Sequence, residues 1–219
     1  MQAARYIVTF SGAGISTPSG IPDFRSPHSG LWQKNDPMQM ASLSAYHQRP
    51  VQFFNWLRPL AKDIWNAAPN PAHGALAELE KQGRLKAVLT QNIDSLHQHA
   101  GSQQVAELHG SLETFSCPNC RQSYNHRSLR NAFIDREDIP RCDRCQSYLK
   151  PDITLFEENL PMQAWSEAEQ HSRACDLMLV VGSSLTVYPA AELPLMALEN
   201  QARLIIINYT PTPLDTAAD

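Results

Sequence analysis

Four of the five cysteines in this 219-residue chain form two CxxC pairs, Cys117 with Cys120 and Cys142 with Cys145. The pairs are separated by 21 residues. Each pair supplies two thiolates to one tetrahedral ion, and four thiolates saturate Zn²⁺, so no position remains for a reacting water. The spacing predicts one structural zinc ion in preference to a catalytic zinc. The fifth cysteine, Cys175, precedes an apolar run and is predicted to be a small buried hydrophobe.

Polar side chains with acid–base and hydrogen-bonding capacity follow two short apolar runs. Lys86–Thr90 reads as a strand and is followed by Gln91, Asn92 and Asp94, while Val105–Leu108 leads into His109. In an open α/β sheet, ligands bind at the carboxyl ends of the strands. Without its position in the chain, His109 would be interpreted as a hydrogen-bonded structural histidine.

A glycine-rich stretch, SGAGISTPSGIPDFR over Ser11–Arg25, follows the predicted buried strand Tyr6–Phe10. Glycines after a strand let the backbone approach a phosphate closely, which favours a dinucleotide cradle. Gly12 and Gly14 match the first two glycines of the dinucleotide fingerprint, but Thr17 stands at the third. An ordinary strand-to-helix turn is the alternative at this stage.

Strands alternate with helices along the chain, which predicts an α/β fold with a doubly wound, mostly parallel, Rossmann-like sheet. Helices are predicted from Asn70 to Gly83 and over Met162–Ala174, and further strands over Leu177–Val181 and Leu204–Ile207. A smaller domain, with two or three short helices and a zinc ribbon, interrupts the sheet twice. The predicted division is 1–25, 72–115 and 152–219 for the Rossmann-like domain, and 26–71 and 116–151 for the smaller one.

Charge and hydropathy argue against two classes of partner. The net charge is −4, and the segment from Cys117 to Lys150 has seven basic and four acidic residues without a dense basic stripe, so direct nucleic-acid binding is not expected. No apolar run approaches the roughly 20 residues of a membrane span, and Met1 to Arg5 does not resemble a signal peptide. Paired cysteines without a disulfide framework fit a reducing compartment, so a cytoplasmic location is predicted.

Three motifs together resemble the sirtuins, the NAD-dependent protein deacylases of the silent-information-regulator family. They are GAGIST followed by SGIPDFR near the start, TQNIDSLH over 90–97, and VVGSSLTVYPA over 180–190. The resemblance covers nearly the whole chain. Sirtuins generally continue beyond the point equivalent to Asp215 with a further strand-like segment and a helix that closes over adenine, so the chain is expected to be either truncated or unusually short.

The resemblance implies NAD-dependent removal of acyl groups from lysine in proteins or peptides, releasing nicotinamide, O-acyl-ADP-ribose and unmodified lysine. The acyl oxygen attacks the ribose carbon as nicotinamide leaves, and His109 then removes a proton from a ribose hydroxyl. Gln91 and Asn92 hold the ribose and its water, with Asn92 counted as catalytic beside His109. Phe24 shields the intermediate from returning nicotinamide. NAD and one structural zinc ion are the expected cofactors.

The remaining residues that the resemblance assigns to NAD fall into three groups. The carboxamide pocket is formed by Ile93 and Asp94. The diphosphate side and the adenosine side involve residues of the first, third and last motifs: Gly12, Ala13, Gly14, Thr17, Asp23, Arg25, Gly182, Ser183, Ser184, Asn208 and Tyr209.

The resemblance also assigns a substrate segment, Thr154, Leu155, Phe156 and Glu157, which pairs with the peptide as an added strand. Sirtuins usually have glycine at the position of Glu157, so a side chain here puts peptide affinity in doubt. The alternative is that any residue with negative φ is tolerated.

The acyl preference is predicted from two positions of the segment FFNWLR. Sirtuins that remove succinyl or malonyl groups have tyrosine and arginine where this chain has Phe54 and Leu57. An apolar pair cannot neutralise a buried carboxylate. Acetyl or longer apolar acyl groups are therefore expected.

Two other functions stay open at this point. A mono-ADP-ribosyltransferase uses the same NAD geometry with another acceptor. A non-catalytic module that binds NAD is suggested by Glu157 and by the abrupt end of the chain. The sequence gives no oligomeric state and no identity for the protein substrate.

Overall fold

The computed structural model describes residues 4–24, 30–31 and 36–219. Eight strands lie in these residues: β1 (Ile7–Ser11), β2 (Leu85–Thr90), β3 (Val105–Glu107), β4 (Gly110–Ser116), β5 (Ser123–Asn125), β6 (Lys150–Ile153), β7 (Leu177–Val181) and β8 (Arg203–Ile207). The same residues contain the helices α1 (Pro37–Met40), α2 (Leu43–Gln48), α3 (Pro50–Asn66), α4 (Pro71–Lys81), α5 (Leu96–His99), α6 (His126–Arg130), α7 (Met162–Ala174) and α8 (Glu192–Glu199).

Five of the strands form one parallel sheet in the order β3-β2-β1-β7-β8. Its centre, β1, is buried along its whole length, as expected for a strand covered on both faces. Ser11, the last residue of β1, pairs with Thr90 of β2 and Val181 of β7. The carboxyl ends of the three central strands therefore coincide at one edge.

Helices cover both faces of this sheet. Ile7 of β1 packs with Leu76 of α4 on one face. Val8 and Phe10 pack with Ala168 of α7 and with residues of α8 on the other. The doubly wound, Rossmann-like prediction is confirmed.

A three-stranded antiparallel sheet, β5-β4-β6, belongs to a second layer of structure. Its residue Phe115 shares a hydrophobic cluster with Phe54 and Leu57 of α3 and with Phe133. Helix α3 has 17 residues, so the prediction of short helices was wrong for it. Its interior Pro59 lies on the exposed side, and the burial of the opposite apolar face outweighs the backbone hydrogen bond that a proline removes.

None of the described helices combines the length and apolar composition needed to cross a bilayer.

Candidate active site and metal centre

A cleft of about 1660 Å³ lies at the carboxyl edge of the parallel sheet. Its walls come from the loops after β1, β2, β7 and β8 and from the segment after β6. This is the edge at which open α/β sheets bind ligands. The cleft collects residues from all three motifs that the sequence analysis singled out.

His109 lies on the cleft wall between β3 and β4, half-buried. Its Nδ1 atom is 2.9 Å from the backbone carbonyl oxygen of Gln91. A carbonyl oxygen can only accept, so Nδ1 carries the proton of the neutral ring and the lone pair lies at Nε2. The geometry fixes the tautomer that a general base needs.

The side chains after β2 are held by a buried set of hydrogen bonds. Asn92 Nδ2 donates to Ser16 Oγ at 3.1 Å, and Ser16 Oγ donates to Asp94 Oδ2 at 2.6 Å. Gln91 Nε2 donates to Ser183 Oγ at 3.0 Å across the cleft. Gln91 and Asn92 line the cleft, and Ile93 lines it beside them.

Asp94 lies behind this wall. It is buried, and its second oxygen, Oδ1, accepts from the Leu96 amide at 2.9 Å. Ser16, which sequence reasoning missed, connects it to Asn92. The signal available in the sequence was the position of Ser16 inside GAGIST, where a hydroxyl is fully buried in the fold.

The first two glycines allow two loops to meet. The amides of Gly12 and Gly14 donate to the carbonyl oxygens of Val181 and Gly182 at 3.1 and 2.9 Å. A Cβ on Gly12 would lie 2.8 Å from the Gly182 carbonyl oxygen, and a Cβ on Gly182 would lie 2.3 Å from the Ile15 amide. Gly182 also has a φ of +62°. Both glycine amides therefore bind protein, and the close approach of the loops builds the cleft floor.

The other residues predicted to contact NAD are distributed along the cleft. Asn208 Nδ2 donates to the Thr210 carbonyl oxygen at 2.8 Å, and Tyr209 is fully exposed. Arg25 lies outside the described residues. The lining residues include the following predicted set: Ala13, Thr17, Asp23, Phe24, Ser183, Ser184, Asn208 and Tyr209.

The cleft fits an extended dinucleotide in three respects. Its floor is built from small residues, its walls carry polar groups, and its volume exceeds that of common ligand pockets. A pocket of this kind needs a few placed polar groups within an apolar lining. The hydroxyls of Ser183 and Ser184 and the side-chain amides of Gln91 and Asn92 supply such groups, and Gln91 is hydrogen-bonded to Ser183. The residues present therefore fit NAD.

The predicted substrate segment is held on both sides by protein. The Thr154 amide donates to the His109 carbonyl oxygen at 2.8 Å. Phe156 forms a parallel bridge with Ser42, with its amide donating to the Ala41 carbonyl oxygen. Leu155 is buried, and Thr154, Phe156 and Glu157 line the cleft with it.

Glu157 has a φ of +76°, so the alternative that this position keeps a negative φ was wrong. This is the left-handed region that favours glycine. Glu157 Oε2 accepts from the Ser44 amide at 2.8 Å, in the first turn of α2. The Glu157 carboxylate thus caps the start of α2. This hydrogen bond offsets part of the backbone strain at Glu157, because the Ser44 amide has no acceptor within the helix.

The side chains predicted to meet the acyl group are placed differently. Phe54 and Leu57 are fully buried in the cluster beside Phe133 and do not line the cleft. Because α3 turns by 3.6 residues, its cleft-facing positions are Trp56, Leu60 and Asp63. The apolar pair of α3 that lines the cleft is therefore Trp56 and Leu60 in place of Phe54 and Leu57, and the acidic residue Asp63 lies beside it.

The four cysteines of the two pairs form a cluster whose sulfur atoms all lie within 4.8 Å of one another. Two cross-pair distances, from Cys117 to Cys145 and from Cys120 to Cys142, are 3.4 Å. A tetrahedral Zn²⁺ with Zn–S of about 2.3 Å needs sulfurs about 3.8 Å apart, so the cluster fits this ion. The predicted structural zinc site is confirmed.

Groups around two of the sulfurs, those of Cys142 and Cys145, favour the thiolate form, whereas the pKa of the Cys120 thiol is raised to about 11. Hydrogen bonding to Ser147 lowers the pKa of the Cys145 thiol to about 6. The Tyr124 hydroxyl donates to the Cys142 sulfur at 3.2 Å. Partners of this kind orient metal ligands. Cys175 lies outside the cluster, and burial raises the pKa of its thiol to about 11, as expected for an inert core residue.

Fold and site define a nucleotide-binding α/β protein with a metal module held by four cysteines. Residues 12–189 match the Sir2 family. An NAD-dependent protein deacylase 2 from Archaeoglobus fulgidus is 48% identical over 100% of this chain and 86% of that protein. An NAD-dependent protein deacetylase from Thermotoga maritima is 43% identical over 100% of this chain and 87% of that protein. The chain belongs to the Sir2 family.

A solved structure described as "Sir2-p53 peptide-NAD+" has the same fold. It matches with a TM-score of 0.89 and 43% identity over 99% of this chain and 87% of that one.

Proposed function

We propose that His109 is the general base of this chain, which is an NAD-dependent protein-lysine deacylase. The observation that supports the assignment is the Nδ1 contact of His109 to the Gln91 carbonyl oxygen at 2.9 Å, on the wall of the cleft. It leaves the lone pair on Nε2, where the ring can accept a proton from a ribose hydroxyl. Because a protonated ring cannot accept, we expect the rate to fall as the solution is made more acidic.

The groups that hold NAD are proposed from their positions along the cleft. Ser183, Ser184 and Asn208 hold the adenosine half, and the loop from Ala13 to Phe24 holds the diphosphate and the adjoining ribose. Arg25 is included through the resemblance alone. When bound, NAD would supply a ribose whose carbon–nicotinamide bond is labile and whose hydroxyl would take up the acyl group.

The polar wall after β2 positions the reacting ribose. The amides of Gln91 and Asn92 are held by Ser183 and Ser16. Their orientation is therefore set before the cofactor arrives, which reduces the ordering cost of the reaction. Asp94 tightens this arrangement from behind through Ser16, and its predicted contact with the carboxamide is retained as part of the proposal.

Acyl-lysine peptides are the proposed substrates. The segment Thr154 to Glu157 lines the cleft wall, and the resemblance assigns to it the pairing with the peptide as an added strand. The amides of Thr154, Leu155 and Phe156 already donate within the protein, so the remaining backbone groups of the segment are those that a peptide would pair with. Trp56 and Leu60 present apolar surface, and Asp63 adds a carboxylate. A distal carboxylate on the acyl group would meet no described cation on this helix face, so acetyl and apolar acyl groups are preferred.

The domain division predicted from the sequence is also retained as a proposal. It is supported by two separate hydrophobic clusters, one around the parallel sheet and one around α3 and the small antiparallel sheet. The junctions near 115 and 152 fall within β4 and β6. A cytoplasmic location is proposed from the five cysteines, all of which are free of disulfides.

The test is nicotinamide release by the whole protein with NAD and an acetyl-lysine peptide. We expect His109→Ala to lower the rate about 10²- to 10⁴-fold, the usual contribution of a general base. His47→Ala, which removes an exposed histidine of α2, is the matched control and retains the rate. Equal, negligible release by wild type and His109→Ala would contradict catalysis.

Product analysis by mass spectrometry separates the remaining functions. O-acetyl-ADP-ribose with unmodified lysine supports deacylation, and ADP-ribosylated protein supports ADP-ribosyl transfer instead. A succinyl peptide is compared in the same assay. Desolvating an unpaired carboxylate costs several kcal/mol, so we expect at least about 10-fold slower turnover, and faster succinyl turnover would contradict the acyl preference.

A further inference from the structure

We infer that His97 is a positioning residue for the general base, acting on His109 through a buried chain of hydrogen bonds. The inference rests on the proposed role of His109. His97 lies on α5, behind the cleft wall, and is not among the residues that line the cleft. It therefore acts through other groups, which can be followed one at a time.

The first part of the chain joins three fully buried side chains. His97 Nε2 is 2.9 Å from Ser11 Oγ, and Ser11 Oγ donates to Thr90 Oγ1 at 2.9 Å. Because the single hydroxyl proton of Ser11 is used on Thr90, Ser11 accepts from His97, and the His97 proton lies on Nε2. The three side chains are at most 2% exposed.

The second part passes through a single peptide group. Thr90 Oγ1 accepts from the Asn92 amide at 3.1 Å. The carbonyl of the same peptide group belongs to Gln91, and its oxygen accepts from His109 Nδ1 at 2.9 Å. The peptide group between Gln91 and Asn92 is therefore hydrogen-bonded to Thr90 through its N–H and to His109 through its C=O.

The state of His97 is fixed by its surroundings. Burial, with a smaller contribution from the neighbouring His73, lowers the pKa of His97 to about 3, so the ring is neutral. His73 of α4 is the titratable group that faces it, with ring centroids 4.9 Å apart. His73 Nδ1 accepts from the Asn70 amide, so its Nε2 carries the proton.

After these assignments, one buried nitrogen remains on each of the two rings. His97 Nδ1 is an acceptor and His73 Nε2 is a donor, and both are buried without a hydrogen-bond partner among the described residues. The neutral His97 ring therefore donates from Nε2 to Ser11 Oγ. The other tautomer of His97 would require the hydroxyl groups of Ser11 and Thr90 to reverse their hydrogen bonds.

The consequence for His109 is orientation. Hydrogen bonds in a chain polarise one another, and a peptide whose N–H is bonded is a stronger acceptor at its carbonyl. Removing the donor at His97 lets the Ser11 and Thr90 hydroxyls rotate, which loosens the peptide plane that holds the His109 ring. A displacement of a reacting group by 1 Å lowers the rate about 10²-fold.

The experiment uses two matched pairs of variants in the whole protein. His97→Phe removes the donor and keeps a ring, whereas His97→Gln places an amide nitrogen near the position of Nε2. Thr90→Val removes the hydroxyl with little change of shape, and Thr90→Ser keeps it. We expect His97→Phe and Thr90→Val to lower kcat about 10-fold or more, with KM for NAD changed less than about 2-fold, and the conservative partners to restore most of kcat.

A second readout does not depend on turnover. Nitrogen-15 NMR of the histidine rings, recorded without NAD, reports the tautomer of His109. We expect wild type and His97→Gln to show a single Nδ1–H form, and His97→Phe and Thr90→Val to show a mixture of tautomers. His99 on α5, half-exposed and outside the chain of bonds, is the internal reference and remains unchanged.

Coupling between the sites separates positioning from general stability. In the double variant His97→Phe/Thr90→Val, the two losses in kcat should not multiply, since the same chain is already broken. Multiplying losses, or a fixed His109 tautomer in both His97→Phe and Thr90→Val, would overturn the inference. If His97→Phe fails to fold, the near-isosteric pair at Thr90 decides alone.

Failure of the proposed function has a different signature. A wild-type protein that releases no nicotinamide contradicts the role of His109 in catalysis, whereas the NMR measurement still reports whether His97 sets its tautomer.

Discussion

The carboxyl edge of the parallel sheet and the cysteine module are ordered by different means. At the sheet edge, β1 is buried along its length, and close backbone contacts join the loops after β1 and β7. In the module, most residues between Cys117 and Leu149 are exposed or half-buried, and the four sulfurs lie within 4.8 Å of one another. The first region is held by core packing, and the second depends on an ion.

This difference explains where chemistry can be placed. The sheet edge is joined by hydrogen bonds within the protein, so it can carry side chains whose orientation matters, such as His109 and Asn92. The module has no open metal position, so it supports the helical layer and the small sheet and contributes no reacting group. The predictions that follow test this difference between the sheet edge and the cysteine module.

The largest effect is expected for Cys142→Ser. Zinc binding contributes on the order of 10 kcal/mol to folding in small zinc modules, and three thiolates hold the ion far less well. We expect the variant to lose its bound zinc, as measured by elemental analysis. We also expect the cysteine module to be unfolded already under conditions in which the rest of the protein is folded. Cys175→Ser, also buried but outside the cluster, should keep one zinc per chain, and retention of zinc by Cys142→Ser would contradict the comparison.

At the sheet edge, Gly182→Ala should destabilise the fold by about 2 to 5 kcal/mol, from left-handed strain and from overpacking. Its Cβ would lie 2.3 Å from the Ile15 amide. Urea unfolding measures the change. Gly74→Ala, in α4 with open space around its Cβ position, is the control and should stabilise by up to about 1 kcal/mol. Equal effects at the two glycines would show that close backbone contact does not order this edge.

The buried histidine gives the sheet edge its own pH dependence. The pKa of His97 falls to about 3 on folding from a model-peptide value of 6.5. Below pH 6.5 the unfolded chain binds a proton that the folded chain does not, so the free energy of unfolding decreases by up to about 1.4 kcal/mol per pH unit.

His97→Gln should remove this contribution. Between pH 6.5 and 5 the variant should lose about 2 kcal/mol less stability than wild type, as measured by urea unfolding at each pH. Titration of the zinc ligands is common to both proteins and cancels in the difference. Parallel pH profiles would contradict a neutral buried His97.

The smallest effect is expected at Glu157, where the segment after β6 meets α2. Glu157→Gly relieves left-handed strain of about 1 kcal/mol and loses a cap of similar size, so stability should change by less than about 1 kcal/mol. Glu157→Ala loses the cap but keeps the strain, and should be about 1 kcal/mol less stable than Glu157→Gly. Thermal unfolding compares them, and equal stabilities would show that the φ of +76° carries no cost.

Local pattern was sufficient for elements with strong periodicity. Helix α7 and strand β7 have the bounds that the sequence predicts, Met162–Ala174 and Leu177–Val181. Spacing also identified the zinc ligands, because two CxxC pairs allow few other structures. Helix α3 was predicted too short, since the interior Pro59 weakens a local pattern that tertiary packing of Phe54 and Leu57 restores.

At the cleft, the motifs identified positions but not all contacts. The Gly12 and Gly14 amides bind the loop after β7, and Phe54 and Leu57 point into the core. The buried partners Ser16, Ser11 and His97 lie in or beside the motifs, yet nothing in their own spacing distinguishes them from exposed polar residues.

The amino-acid sequence alone determined the fold class, the metal ligands and, through the resemblance of three motifs, the family, since hydrophobic periodicity, ligand spacing and motifs are local along the chain. The tertiary structure alone decided which hydroxyl meets His97, which carbonyl meets His109 and why Glu157 is tolerated at positive φ. These contacts join residues that are distant in the chain, and their strength depends on exclusion of water, which only the packed fold provides.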